Sequence, residues 1–95
     1  MGESKLVFRV HALRRMFQRS ISVAEVRHVI ETGEVIEAYP NDAPYPSRLV
    51  LGRSGIRSIH VVAADDARNA ETIVITVYEP DPNLWNRGLR RRRKS

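Results

Sequence analysis

The 95-residue chain contains no cysteine. That excludes a disulfide framework and any metal site built on thiolates, and it suits the reducing cytoplasm, where we expect the protein to act. No apolar run approaches the roughly 20 residues needed to span a bilayer. The charged opening "MGESKLVFRV" is not followed by the apolar segment of a signal peptide, so no membrane partner is expected. The three histidines, His11, His28 and His60, lack any tight ligand spacing such as HExxH, so no metal site is predicted. A glycine-rich phosphate loop is missing too. The run Gly52-Arg53-Ser54-Gly55 is short and stands between strands rather than before a helix. No cofactor is therefore expected.

Against these absences stand 42% hydrophobic residues, sufficient for one globular domain, and a net charge of +5 that is unevenly placed. The tail "RGLRRRRK", residues 87–94, holds six basic residues and no acidic one. Without it, ten basic residues face eleven acidic ones, a net of about −1 for residues 1–86. The chain divides into a near-neutral domain, 1–86, and a basic tail, 87–95, whose composition reads as disordered. A neutral body holds nucleic acid only through a local cationic site or through such a tail.

Periodicity predicts the elements. "KLVFRV" alternates loosely and is a possible short first strand. From His11 to Arg19, Ala12, Leu13, Met16 and Phe17 recur at helical spacing and form the expected buried face. Ser22 and Glu25 make a capping box, with Ile21 and Val26 at the staple positions, opening a second helix over 23–32. Gly33 is its expected left-handed stop. Then the period becomes two. Strands are predicted at 34–39, 47–52, 56–64 and 72–79, with a proline-rich loop at 40–46 and a turn from Gly52 to Gly55. The last two strands are apolar almost throughout and should lie mid-sheet with both faces covered. The expected fold is α+β: two N-terminal helices packed on a four-stranded antiparallel meander, with the optional extra strand.

Polar residues interrupt this pattern in two places. His11, Arg15 and Arg19 fall on one stripe of the first helix, because residues four apart drift slowly around it. Ser58 and His60 share a face of the third meander strand; Thr76 and Tyr78 share one of the fourth. A register setting His60 near Thr76 would gather them into a polar patch, which needs internal partners or an open cleft, since each buried unpaired group costs about 1–3 kcal/mol.

The run His11-Ala12-Leu13-Arg14-Arg15-Met16-Phe17-Gln18-Arg19-Ser20-Ile21-Ser22 fits HAxxRMxxRxIS. It resembles the opening of a widespread bacterial family of domains of unknown function. "SIHVVAA" and "IVITVYEPDPNLW" resemble that family's downstream motifs, so the resemblance covers residues 7–85. Members of the family resemble small toxins of toxin–antitoxin pairs with a zinc-finger antitoxin, and the order of two helices then a sheet is similar to RelE- and MqsR-type mRNA interferases. The resemblance implies a RelE-like fold, an antitoxin partner, and metal-independent RNA cleavage, with or without the ribosome.

Such chemistry needs a base for the ribose 2′-hydroxyl, a cation for the phosphorane-like transition state and an acid for the leaving 5′-oxygen. The residues offered for catalysis are His11, Arg15, His60 and Tyr78, the histidines for proton transfer, the arginine as phosphate clamp and the tyrosine as donor or acid. Arg19, Thr76 and the tail residues Arg90, Arg91, Arg92 and Arg93 are offered for RNA contact. Each has an ordinary reading as well: helix-boundary histidine, solvated arginine stripe, satisfied core histidine, strand tyrosine, solubilising tail. The competing function is a non-catalytic RNA- or protein-binding module using the same cleft and tail. Trp85, the only tryptophan, is expected to fold back onto the body.

Overall fold

The computed structural model describes residues 5–85 and 88–89. The elements run β1 (Lys5–Phe8), α1 (Val10–Arg19), α2 (Val23–Thr32), β2 (Glu34–Tyr39), β3 (Ser47–Ser54), β4 (Arg57–Asp66) and β5 (Glu71–Tyr78). They build one five-stranded sheet in the order β1-β5-β4-β3-β2. β2 to β5 form the expected antiparallel meander. The expectation of a four-stranded antiparallel sheet is overturned, however. β1 is a full fifth strand and pairs parallel to β5, from Lys5 opposite Glu71 to Phe8 opposite Val74, which makes the sheet mixed. A parallel pair requires a crossover connection, and the two helices and the meander supply one that returns β5 alongside β1. A four-residue strand carries no local mark of its partner.

The helices cover one sheet face. Ala12 and Met16 of α1, Ile21, and Val26 and Val29 of α2 close over Val50, Ile59, Val61, Ala63, Val74 and Val77 as the main core. α1 packs on β5, while α2 packs on β3 and β4. The buried face expected for α1 is therefore too wide. Only the line Ala12–Met16 is buried, whereas Leu13 and Phe17 are 46% and 88% exposed. A helix seated over the strand next to the sheet's edge buries a narrow stripe, because only the four-residue β1 lies beyond β5 on its outer side.

The α2 start is as predicted. Ser22 Oγ accepts from the Glu25 amide (3.0 Å), and a Glu25 carboxylate oxygen accepts from the Ser22 amide (2.9 Å). Replacing Ser22 with alanine should cost about 1 kcal/mol in urea unfolding, the usual worth of such a cap. Gly33, by contrast, is extended (φ −76°, ψ 178°) rather than left-handed. Its glycine is needed for close approach: a Cβ there would stand 2.5 Å from the Val29 carbonyl oxygen and 2.6 Å from that of Leu51. Gly52 lies inside β3 and not in a turn, and it lets α2 settle on the sheet, since an added Cβ would meet Val29 Cγ1 at 2.8 Å.

Among the described residues, the second sheet face is covered as well, by loop rather than by helix. Leu49, Ala64, Ile73 and Trp85 are buried outside the main core. The 40–46 loop lies at one end of this face and the segment after β5 at the other. Between these two covers runs the ground on which the candidate site stands.

Candidate functional site

Strand register decides which polar groups meet. Along β4 the side chains alternate regularly, so Ile59, Val61 and Ala63 enter the main core while His60, Val62 and Ala64 face the second side. β5 does not alternate regularly. Ala63 pairs with Val74 but Val62 pairs with Thr76, so Ile75 is an extra residue, a β-bulge. A bulge re-aims the side chains beyond it. Here it leaves Val74 and Val77 in the core and turns Thr76 and Tyr78 to the second face. His60 and Thr76 lie on two successive same-face rungs, Val62–Thr76 and His60–Tyr78, as diagonal neighbours.

His11 reaches the first rung. β1 ends at Phe8, the Arg9 amide donates to the Val74 carbonyl (3.0 Å), and α1 begins at once. The first turn therefore sits against the bulge, and His11 Nε2 lies 2.9 Å from Thr76 Oγ1. The imidazole is otherwise exposed. No side chain caps α1 at Arg9, and its first turn holds no acidic residue, so the open backbone donors there suit an anion.

His60 occupies the second rung in a different setting. It is fully buried at the centre of the sheet. The Trp85 ring stands on it edge-to-face at 4.5 Å, and Tyr78 does so at 5.2 Å. Nε2 lies 2.9 Å from the Leu89 carbonyl oxygen and Nδ1 lies 3.2 Å from Tyr78 Oη. A carbonyl only accepts, so Nε2 carries the proton and donates; the neutral ring then accepts from the tyrosine at Nδ1. Burial holds the imidazole below its ordinary titration range. His60 and Tyr78 thus form a closed polar pair that clasps the C-terminal segment, and Trp85 folds back as expected. Leu89, within the stretch read as tail, docks on that pair.

The arginine stripe is open. The side chains of Arg15 and Arg19 are exposed, and neither pairs with Glu25. That carboxylate is taken by the Ser22 amide, by Ser54 Oγ (2.7 Å) and by Arg57 at 3.7 Å. These contacts hold Glu25 below the usual carboxylate range, the Ser22 amide contributing most. Arg57 is a residue that sequence reasoning missed. Its guanidinium donates to the carbonyls of Arg19 (2.6 Å) and Ser20 (3.1 Å) and to Glu79 (3.2 Å), fastening the end of α1 to β4. Nothing local in a strand's first residue announces that role.

Beside His11 a cleft of about 350 Å³ opens between the second sheet face and the 40–46 loop. Ala64, Ile73 and Ile75 form its apolar floor, with Pro44 and Tyr45 against it, and Arg9 and Asp42 also line it. Asp66 beside the Tyr45 hydroxyl raises that phenol above its ordinary range, so it stays protonated. Of the catalytic residues expected from sequence, the cleft holds His11. Arg15 lies one helical turn along α1. His60 and Tyr78 share its sheet face but stand apart under Trp85. The tail residues Arg90, Arg91, Arg92 and Arg93 lie outside the described residues. Arg9, Asp42 and Tyr45 were missed because nothing short of the folded chain brings a proline-rich loop to the start of α1.

Among the described residues, no group of three or more histidine or acidic side chains could hold a metal ion. Nor is any helix among them long and apolar enough to cross a membrane. An exposed imidazole held by a hydroxyl, with guanidinium groups on the same helix end, can bind a phosphate group and transfer a proton to or from it.

No curated protein and no solved structure matches the chain significantly. A family match does span residues 8–79, from the end of β1 through β5 and so across both polar rungs, and the chain belongs to that family, described as Domain of unknown function (DUF4258).

Proposed function

We propose that this chain is a metal-independent endoribonuclease of the RelE- and MqsR-like toxin class, restrained by a partner protein, with His11 as its proton-transfer group. The observation that carries this reading is the exposed His11 imidazole, set 2.9 Å from Thr76 Oγ1 at the mouth of a cleft and one turn from the open Arg15 guanidinium. In this mechanism His11 takes the proton of a ribose 2′-hydroxyl while Thr76 steadies the ring. The 2′-oxygen attacks the adjacent phosphorus, and Arg15 and Arg9 stabilise the added negative charge. The imidazolium then protonates the departing 5′-oxygen. The products are a 2′,3′-cyclic phosphate and a 5′-hydroxyl. His60 and Tyr78 serve as positioning residues that keep the β4–β5 rungs and the C-terminal segment in place.

The test is incubation of the purified chain with single-stranded RNA in excess chelator, with and without ribosomes, followed by analysis of the ends. New cyclic-phosphate ends support the reading; intact RNA under both conditions overturns it. A second reading, a binding module without cleavage, is favoured by the closure of His60, which leaves one open imidazole where two were expected. It is supported if RNA is retained but not cut. In either case Arg15→Ala should weaken RNA binding and reduce the salt dependence of the affinity by about one released counterion, as for a single lost phosphate contact.

A further inference from the structure

The cleft beside His11 has a construction that phosphate binding alone does not use. Its floor is aliphatic, its opposing wall is a proline and a tyrosine, and its volume of about 350 Å³ lies at the small end of ligand sites. Arg9 and His11 line it, and so does one carboxylate, Asp42. A flat, weakly polar ring carrying a phosphate fits all three features. Asp42 accepts from Ser47 Oγ through Oδ2 (2.5 Å), which fixes the carboxylate while leaving it further acceptor sites. A carboxylate accepts only, so it favours the base edge with two adjacent donors. Guanine offers that edge in N1–H and its exocyclic amine, whereas uracil offers one donor flanked by two carbonyl oxygens.

We propose that this cleft is a nucleobase pocket with a preference for guanine, in which the ring lies between Tyr45 and the Ile73–Ile75 floor, its edge meets Asp42, and its phosphate lies at Arg9 and His11. The inference rests on the RNA-directed reading above and names the base that the site selects. Bases of single-stranded RNA are commonly held in this way, stacked on an aromatic ring and read along their pairing edge.

The test titrates the full chain with 3′-GMP, 3′-AMP, 3′-CMP, 3′-UMP and inorganic phosphate by calorimetry. 3′-GMP should bind more tightly than 3′-UMP by about tenfold or more, the discrimination usual for a paired polar contact to a base. Asp42→Asn should bring the two within about threefold of each other, since an amide no longer matches two donors. Tyr45→Ala should weaken all four nucleotides about tenfold while leaving inorganic phosphate unchanged, as expected on losing a stacking ring. Melting curves establish that both variants are folded. Equal binding of the four nucleotides and of inorganic phosphate would overturn the pocket. RNA cleavage by the same preparation is scored separately. Cleavage without base preference sinks the pocket and leaves the nuclease, whereas base preference without cleavage keeps the pocket and sinks the nuclease.

Discussion

Alanine at position 11 is expected to slow RNA cleavage by about 10²- to 10⁴-fold, the usual contribution of a positioned acid–base group. The fold should barely notice. His11 is exposed and its one described side-chain contact is the 2.9 Å hydrogen bond to Thr76, so the melting temperature should move by only a few degrees. His11→Gln is the sharper variant. Its amide reaches the position of Nε2 and can keep a hydrogen bond to Thr76 but cannot carry a proton near neutral pH, so it should be as slow as the alanine variant. Initial rates of cyclic-phosphate formation measure both. A variant that cuts RNA at the parental rate would remove the proposed proton-transfer group. So would activity restored in full by glutamine, which would assign His11 to positioning alone.

Truncating His60 to alanine should do the opposite and unfold the protein more readily. The change opens a cavity in a central strand, removes the ring on which Trp85 stands, and strips partners from the Leu89 carbonyl and the Tyr78 hydroxyl. Large-to-small changes at such sites cost about 3–5 kcal/mol, against a total of about 5–15 kcal/mol for a domain. Urea unfolding followed by the fluorescence of Trp85 measures both the loss of stability and the undocking of the C-terminal segment. A loss below about 1 kcal/mol would show that the closed pair does not hold the sheet, since buried cavity-forming changes exceed that.

The same site sets a pH dependence. Burial lowers the His60 titration range in the folded state. At a pH below about 6.5, the ordinary histidine value, the unfolded chain therefore takes up a proton that the folded chain refuses. The unfolded state binds more protons, so stability rises with pH through this window. It should be level between pH 7 and 8 and fall as pH drops below about 6.5 towards the depressed folded value. His60→Gln should flatten that fall. The carboxylates Glu25 and Asp66, whose titration ranges are lowered, act only in more acid solution. An unaltered acid limb in the glutamine variant would assign the effect to other groups.

Both histidines stand out equally in the sequence, as polar residues set among apolar ones, and the polar pattern alone cannot separate an open imidazole from a sealed one. The difference arises 25 residues beyond His60, where Trp85 turns back over it, and no spacing rule spans that distance. The bulge at Ile75 is illegible for a similar reason. Strict alternation places Thr72, Val74, Thr76 and Tyr78 on one face, and only the pairing with β4 reveals the extra residue. The buried stripe of α1 is narrower than its periodicity suggests, because helical spacing tells which residues line up but not how much sheet lies beneath them.

What the amino-acid order determined by itself is local. The capping box at Ser22 and Glu25, the span of α2 and the places of the four meander strands follow from patterns within a few residues, where chain entropy leaves few alternatives, but the five-stranded mixed sheet does not. What tertiary structure alone decided is every meeting of distant segments: β1 lying parallel to β5, His11 against Thr76, the proline-rich loop over Ile73, and Trp85 closing on His60. Those contacts depend on register and on which surfaces remain uncovered once the core has formed, and neither quantity is written in any short stretch of the chain.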